Sequence, residues 1–542
     1  MLEISSNFIK TIMEKDMEQK KHNEIVTRFP PEPNGFLHIG HARAIVINFE
    51  LAKTFKGKTN LRFDDTNPSK EDSIYVKSII SDIDWLGYKP DGIYYASDYF
   101  EEMYDRAIIL IKKGLAYVDE STAEEIKKDR GSTLVKGVDS KYRNRSIEEN
   151  LFLFEEMKIG RKPEGSCVLR LKIDMKSPNM NLRDPVIYRI SFEKHHHRGS
   201  DWKIYPMYDF AHPLEDSIEG ITHSLCSLEF EDHRPLYDWI ITHTEMKSIP
   251  RQIEFGRLNI ENTIMSKRYL KELVERNLVE GWDDPRLPTL KGFRRRGFTP
   301  NSIKKFIIDA GLSKINSTIS YSMLEAHLRD ELNKSAPRFF AVKKPLKILI
   351  TNYPKNKVEY FDVLTNPYSE SEEKRKISFS KEIYIDHDDF LLQKPNKKYK
   401  RLYLGGEVRL MHAYFVKCNN VIYDSNGNIS HLEATYDPET KSGTDFKGRK
   451  PNGTIQFVDA LNAIPIKINS FEPLIKENTK SIIENFNKDS WNKYYGYAEP
   501  YISKIKKEEK FQFVRMGYYC IDKESSKSKV VVNEITSLKG NK

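Results

Sequence analysis

Two histidines three residues apart, His38 and His41, end the run Arg28-Phe-Pro-Pro-Glu-Pro-Asn-Gly-Phe-Leu-His-Ile-Gly-His41. The run reads as a strand end, a turn made sharp by Pro30, Pro31, Pro33 and Asn34-Gly35, and the first turn of a helix. Positions three apart share a helix face, and a helix start carries unpaired amides and the positive end of the dipole. Phosphates bind at such ends, and imidazoles there can donate hydrogen bonds to a phosphorus centre as charge builds on it. Gly35 allows the tight turn, and Gly40 lets a base or ribose approach the backbone. Two histidines alone would describe an ordinary surface helix. A second segment, Ile264-Met-Ser-Lys-Arg268, changes the balance. It reads as a loop leading into a helix. Lys267 is a mobile point charge suited to developing negative charge, and Arg268 can help to place phosphates. Together the two segments suggest a nucleoside triphosphate gripped from two sides and attacked at its alpha-phosphate.

Positioning these groups requires a parallel sheet. Glu24 to Phe29 and Asn60 to Asp64 read as strands around a helix whose apolar residues are Leu37, Ile39, Ala42, Ile45, Val46 and Phe49. This strand–helix–strand unit places Asp64 and Asp65 at a carboxyl strand end, where open α/β sheets bind ligands. Residues 1–22 read as a polar, helical leader and 23–97 as the first half of the sheet domain. Residues 98–207 read as an inserted α+β domain and 208–268 as the second half of the sheet domain, resuming at Pro206 to Phe210. Residues 269–337 read as helical, with Lys291 to Gly297 a basic turn. From 338 to 542 the pattern turns to strands and hairpins, such as Leu346 to Ile350, Ile377 to Ile385, Arg401 to Tyr414 and Asn420 to Thr435. One or two antiparallel barrels are expected there, interrupted by a helix over Phe471 to Trp491.

A chain of 542 residues is too long for one core. With 39% hydrophobic and 31% charged residues it reads as a soluble globular enzyme. The net charge of +9 permits a polyanionic partner without demanding one. Cys167, Cys226, Cys418 and Cys520 are scattered, with neither metal-ligand spacing nor a disulfide framework. No secretory signal and no membrane-length apolar run is seen, so a cytoplasmic protein is expected.

The chain resembles the class I aminoacyl-tRNA synthetases, specifically the glutaminyl-tRNA synthetases of bacterial-like type. His38-Ile-Gly-His41 and Met265-Ser-Lys-Arg268 match the two class signatures. Pro31-Glu-Pro-Asn-Gly35, Arg62-Phe-Asp-Asp-Thr-Asn67 and Tyr208-Asp-Phe-Ala-His212 match at a finer level. So do Thr222-His-Ser-Leu-Cys-Ser-Leu-Glu-Phe230 and Gly281-Trp-Asp-Asp-Pro-Arg-Leu-Pro288. The resemblance covers residues 24 to 536. It implies a Rossmann-type nucleotide-binding sheet, an inserted acceptor-stem-binding domain, a helical subdomain and two anticodon-binding β-barrels.

The resemblance also implies the chemistry. L-glutamine attacks the ATP alpha-phosphate to give glutaminyl-adenylate and pyrophosphate. The 2′-hydroxyl of the terminal adenosine of tRNA-Gln then takes the glutaminyl group, and AMP leaves. His38, His41 and Lys267 would be catalytic. Glu32, Pro33, Asn34, Gly35, Gly40, Met265, Ser266 and Arg268 would complete the ATP site. Arg28 and Asp64 would hold the amino acid's carboxylate and ammonium. Tyr208 and Gln252 would read the side-chain amide, Phe230 would line the pocket, and Arg257 would help to exclude glutamate. Mg2+ would arrive with ATP, with no dedicated protein metal site. A monomer is expected, with no DNA and no membrane partner.

For RNA, the resemblance assigns Leu134 as an apolar wedge at the first base pair and Asp232 as a minor-groove reader. Arg338, Arg401, Arg409, Gln512 and Arg515 fall at positions that read a CUG or UUG anticodon or its surroundings. The family has an arginine where this chain has Met411, and an acidic residue is more usual at Val514. Two alternatives share much of the pattern. One is a glutamyl-tRNA synthetase of archaeal or eukaryotic type, against which Asn34 and Leu225 to Phe230 weigh. The other is a non-catalytic tRNA-binding homologue, against which the intact His38, His41 and Lys267 weigh.

Overall fold

The computed structural model describes residues 4–68, 72–370, 372–444, 446–475 and 484–539. The chain divides into two compact units. One comprises Met1–Ile260 with Lys304–Ile319, the other Glu261–Ile303 with Ser320–Lys542.

In the first unit, strands Val26–Phe29, Lys58–Phe63 and Ile93–Tyr95 pair in parallel, with Arg28 opposite Asn60. Strands His223–Ser227 and Arg251–Phe255 form a second parallel pair. Thr222 joins the two sets: its amide donates to the Val26 carbonyl, and its hydroxyl accepts from the Val26 amide, each at 2.9 Å. The crossover helix Ile39–Thr54 buries Ala42, Ile45, Val46 and Phe49 against this sheet. Its return to the next strand passes so close to the Ile25 carbonyl that a Cβ on Gly57 would meet the oxygen at 2.0 Å.

The leader is part of this core. Helix Phe8–Glu18, capped by Asn7, buries Ile9 and Met13 beside Leu51, Leu225, Ile253 and Phe255. Buried Asp16 on the same helix meets Lys21 at 2.8 Å, Arg251 at 3.0 Å and His223 at 3.3 Å.

Between the sheet strands lies a four-stranded antiparallel sheet in the order Ala116–Asp119, Val168–Leu171, Val186–Ile190, Ile204–Pro206. Helices Phe100–Lys112 and Ile147–Lys158 share a core with it, through Met103, Leu110, Phe154 and Met157. The segment read as resuming the parallel sheet at Pro206 does otherwise. Its strand is the last of the antiparallel sheet, and Tyr208–Ile218 is a helix.

In the second unit, helices Lys267–Glu275, Leu290–Arg296 and Tyr321–Ser335 precede the strands. The basic stretch expected as a turn is therefore a helix. Thr289 caps its start, and Gly297 ends it at φ +106°. Two seven-stranded sheets follow. They are mostly antiparallel, with parallel pairs such as Arg338–Phe339 beside Lys510–Phe513 and Pro345–Ile350 beside Ile429–Asp437. Each encloses its own apolar cluster, one around Ile348, Phe379 and Val416, the other around Ile468, Phe511 and Val532. The helix expected over Phe471 to Trp491 is absent among the described residues there. Strand Ile464–Phe471 leads to a bridge between Ile475 and Phe486, and Trp491 opens the next strand. Residues 476–483 lie outside the described residues.

Candidate active site

The turn Pro31 to Gly35 is tied to the carboxyl end of strand Lys58–Phe63. The Asp64 amide donates to the Pro31 carbonyl at 3.1 Å, and the Asp72 amide to that of Pro33 at 3.1 Å. Within the turn the Asn34 side-chain amide donates to the Glu32 carboxylate. The two histidines then cap the helix that follows. His38 is the N-cap itself rather than a first-turn residue, and its Nδ1 accepts from the Gly40 amide at 3.0 Å. The His38 amide donates to the Nδ1 of His41 at 3.1 Å. With both Nδ1 atoms accepting, each neutral imidazole carries its hydrogen on Nε2. The rings stand 4.0 Å apart, centroid to centroid. The helix start therefore holds two oriented Nε2–H donors at the positive end of its dipole.

Asp64 is buried at the strand end and accepts from the Thr66 hydroxyl at 3.2 Å. Burial, reinforced by Glu32 and Asp65 and opposed by Arg62, pushes its carboxyl up to about 7. A cation beside it would reverse that shift. Tyr208 opens its helix with its ring 5.2 Å from that of Phe230. Burial, with the nearby Asp64, pushes its phenol well above the ordinary range, so it stays a neutral donor and acceptor. The Gln252 side-chain amide donates both to the Phe230 carbonyl at 3.1 Å and to Glu254 at 2.9 Å. Its oxygen is thereby presented as an acceptor. Arg257 is exposed and ion-paired with Glu229.

Arg28 differs from its expected role. It has no exposed surface. Its Nε donates to Asp216 at 2.8 Å, one NH1 hydrogen goes to the Leu225 carbonyl at 2.7 Å, and NH2 meets Ser224 at 2.8 Å and His212 at 2.6 Å. Most of its donor capacity thus serves the protein. Only the second NH1 hydrogen remains for the substrate carboxylate that the sequence reading assigned to it.

Beneath the pocket, sequence reasoning missed a buried charge network. Asp216 accepts from Arg28, from Arg62 at 2.8 Å and from the Ser224 and Tyr237 hydroxyls at 2.6 and 2.9 Å. Burial opposes its charge, yet Arg28, His212 and Arg62 hold it well below the usual carboxylate range. Burial likewise keeps His212 below the ordinary histidine value, against the pull of the Asp216 carboxylate 3.0 Å from its Nε2. The signal was an unusual density of acid, Glu215, Asp216 and Glu219, at the end of one helix, beside Arg28 and Arg62 on strands that are otherwise buried.

One further cluster has the make-up of a metal site. Ligand atoms of Asp65, His195 and His196 lie within 4.8 Å of one another. Most of these atoms, however, already serve hydrogen bonds within the protein. His195 Nδ1 accepts from the amides of His197 and Arg198 at 3.1 and 3.0 Å, so Nε2–H donates to the Asp65 carbonyl at 2.6 Å. The Asp65 carboxylate accepts from the Ser97 amide and hydroxyl, each at 2.8 Å, and from His196 at 3.1 Å. The cluster is a clasp between the antiparallel hairpin and the strand end that carries Asp64.

Lys267 and Arg268 belong to the second unit, where they form the first turn of helix Lys267–Glu275 rather than a loop; Met265 and Ser266 precede it. Ser266, at the N-cap position, makes no side-chain cap, and the first turn holds no acidic residue. Two cations at the positive end of a helix are electrostatically unfavourable.

A family description, tRNA synthetases class I (E and Q), catalytic domain, matches residues 24–334. The anticodon-binding domains of the same group match residues 336–437 and 454–522. The chain belongs to the class I tRNA synthetases of the E and Q group. It is 56% identical over 543 residues to a glutamine--tRNA ligase of Clostridium perfringens, covering 99% of this chain and 98% of that one. It is 55% identical to that of Clostridioides difficile over 542 residues, 99% and 98% of the two chains. For that of Vibrio vulnificus the identity is 48% over 540 residues, 98% and 97%.

The synthetase's RNA-facing candidates are distributed over both units. In the first, Leu134 is 95% exposed on a loop held from below by Arg183. Buried Arg183 donates through NH1 to the carbonyls of Arg130, Ser132 and Val135 at 2.8, 2.9 and 2.9 Å. The Asp232 side chain is exposed, and its carbonyl accepts from Asn179 at 2.7 Å and Asn181 at 3.2 Å.

In the second unit, Arg338 lies opposite Gln512 in a parallel pair and covers the Tyr368 ring at 4.9 Å. Arg409 donates to the Thr440 carbonyl at 3.1 Å and lies 4.3 Å from the centre of the Phe415 ring. Arg401 and Arg515 meet at one carboxylate, that of Asp389. Met411 and Val514, the two departures from the family pattern, pack their apolar side chains against the core cluster around Ile348.

Proposed function

We propose that this synthetase is a glutamine--tRNA ligase. It activates L-glutamine with ATP to glutaminyl-adenylate and passes the glutaminyl group to the 2′-hydroxyl of the terminal adenosine of tRNA-Gln. The observation that carries the choice of amino acid is the pairing of Arg257 with Glu229. The cation nearest the side-chain end is thereby neutralised. What remains is a hydroxyl on Tyr208 and the carbonyl oxygen of Gln252, whose NH2 is already engaged. A glutamine amide both donates and accepts, and such neutral partners suit it. A glutamate carboxylate could recruit Arg257 only by displacing Glu229.

In this reading Asp64 holds the substrate ammonium, which restores its carboxylate. Arg28, enclosed by protein groups, supports the pocket through Asp216. Glu32, Pro33, Asn34, Gly35 and Gly40 shape the nucleotide end. The Nε2–H groups of His38 and His41 donate to the alpha-phosphate as it becomes pentacovalent, and Lys267 neutralises charge on the phosphates. Met265, Ser266 and Arg268 complete that grip. Mg2+ would accompany ATP and offset the charge of its phosphates, with no dedicated protein site.

Leu134 opens the first base pair, Asp232 reads the acceptor minor groove, and Arg338, Arg401, Arg409, Gln512 and Arg515 meet the anticodon arm. We further place the enzyme in the cytoplasm as a monomer, in keeping with four cysteines held as thiols. Aminoacylation with glutamine and with glutamate, each beside its matched tRNA, tests the reading. Glutamine charged to tRNA-Gln is expected; preferential charging of glutamate would reject it.

A further inference from the structure

Asp16 is a carboxylate on an apolar helix face. Ile9 and Met13 lie seven and three residues before it, so the three share one side of helix Phe8–Glu18, and all three are buried. That side packs on Leu225, Ile253 and Phe255, from the paired strands His223–Ser227 and Arg251–Phe255. Successive strand residues point to opposite faces. His223 and Arg251, which are register partners, therefore turn towards the leader with Leu225 and Ile253. Ser224 and Gln252, the next register partners, turn to the other face, where the amino-acid pocket lies.

Asp16 grips the leader-facing pair. Its Oδ2 accepts from Arg251 NH1 at 3.0 Å and faces His223 Nε2 at 3.3 Å, while its Oδ1 accepts from Lys21 at 2.8 Å. His223 has no exposed surface, and burial, with the neighbouring His22, brings it down to about 4, so the ring is neutral. A carboxylate only accepts, so the His223 hydrogen sits on Nε2 and points at Asp16. One residue further along each strand, Ser224 holds Arg28 at 2.8 Å and Asp216 at 2.6 Å, and Gln252 donates to the Phe230 carbonyl at 3.1 Å. Apolar packing is non-directional and would let the helix settle on these strands in more than one way. A buried charge is costly unless its partners are met, so Asp16 admits only the alignment that brings it to both strands.

We propose that Asp16 is a positioning residue for glutamine recognition. It locks the strand pair from the leader side, and the lock sets where Ser224 and Gln252 stand on the pocket side. Asp16 itself touches no substrate. It acts through His223 and Arg251, each one residue before a pocket residue. The proposal rests on the glutamine--tRNA ligase reading, in which Gln252 presents its oxygen to the side-chain amide and Ser224 orders Arg28 and Asp216 below it. The leader thereby becomes part of the amino-acid site. Glu32, His38, Gly40 and His41, which serve the nucleotide, lie outside this strand pair, so the effect falls on one substrate.

The test uses the full-length enzyme charging tRNA-Gln, with glutamine and ATP varied in turn. In Asp16→Ala the KM for glutamine is expected to rise roughly tenfold, while the KM for ATP changes by less than about twofold. A purely structural role would lower the amount of active enzyme, and with it the apparent kcat, without moving either KM. An unchanged glutamine KM, or equal rises for both substrates, would overturn the proposal. Should Asp16→Ala not fold, Arg251→Ala serves the same purpose, since Arg251 is exposed and its loss leaves the contact between Asp16 and His223 in place. The glutamine KM is then expected to rise about threefold with the ATP KM unmoved, and an unmoved glutamine KM would equally overturn the proposal. Wild-type enzyme that fails to charge tRNA-Gln with glutamine would instead remove the functional reading, and the proposal with it.

Discussion

The main-chain amide of His38 donates to the Nδ1 of His41 at 3.1 Å, so the two imidazoles cap their own helix. The bond has a chemical consequence, since a ring that accepts at Nδ1 must donate from Nε2. In the proposed reaction one side chain serves both structure and chemistry, and substitution can separate them. His41→Ala should lose about 1 kcal/mol of stability with the cap. It should also lose roughly a hundredfold in adenylate formation. His41→Asn retains an acceptor for the His38 amide and should recover much of the stability, but not the activity. Urea unfolding and ATP–pyrophosphate exchange in the presence of tRNA-Gln measure the two effects. Near-normal exchange by His41→Asn would reject the role of the Nε2–H donor.

Asp64 gives a pH dependence of definite sign. Its carboxyl is raised to about 7 in the folded protein, above its ordinary value. In the ligand-free enzyme it is protonated below that point and cannot pair with an ammonium group. Glutamine kcat/KM should therefore rise as pH increases through about 7, and Asp64→Asn should abolish that limb together with most of the activity. The stability effect runs the other way. The folded state holds this proton more tightly than the unfolded chain does. Stability contributed by the group is thus full below the unfolded carboxyl range and is lost as pH rises towards 7. At pH 8 ligand-free Asp64→Asn should consequently melt higher than wild type. A lower melting temperature would show that the carboxylate is stabilised by its surroundings instead of strained by them.

Lys267 stands at the start of a helix with Arg268 beside it and no acidic residue in the first turn. In Lys267→Ala, adenylate formation should fall roughly a hundredfold or more, because the lost charge acts on the transition state. Binding of tRNA should change little. Single-turnover activation kinetics beside a tRNA binding titration would check both, and an unchanged activation rate would end the assignment.

Much of this site was legible because motifs of fixed spacing carry local geometry with them. The prolines before Gly35 stop a strand, the histidines cap a helix, and Asp64 follows a short run of buried strand residues. Legibility failed where long-range partners decide. Arg28 reads as a cation at a strand end, but its acceptors lie far along the chain at Asp216, Ser224 and Leu225. Asp389 carries no local signal, since its burial between Arg401 and Arg515 depends on residues elsewhere in the chain. Lys291 to Gly297 was misread as a turn because its charges suggested solvent. In fact Leu290, Phe293 and Arg295 are buried, and Arg295 pairs with Asp522 at 3.0 Å.

Arg183 offers a test of the acceptor end. Its NH1 reaches three carbonyls of the loop that displays Leu134, and its Nε donates to the Ser177 carbonyl at 2.7 Å. A lysine placed there could satisfy only part of that set, so Arg183→Lys should loosen the loop while preserving the charge. If Leu134 is a wedge, its cost-saving contact matters only when a base pair must be opened. Charging of tRNA-Gln with a paired first base pair should drop roughly tenfold in kcat/KM, for Arg183→Lys as for Leu134→Ala. Charging of a transcript with that pair mismatched should be nearly unaffected in both variants. Equal losses on the two transcripts would mean that the loop binds RNA without opening it, and Leu134 would revert to a surface contact.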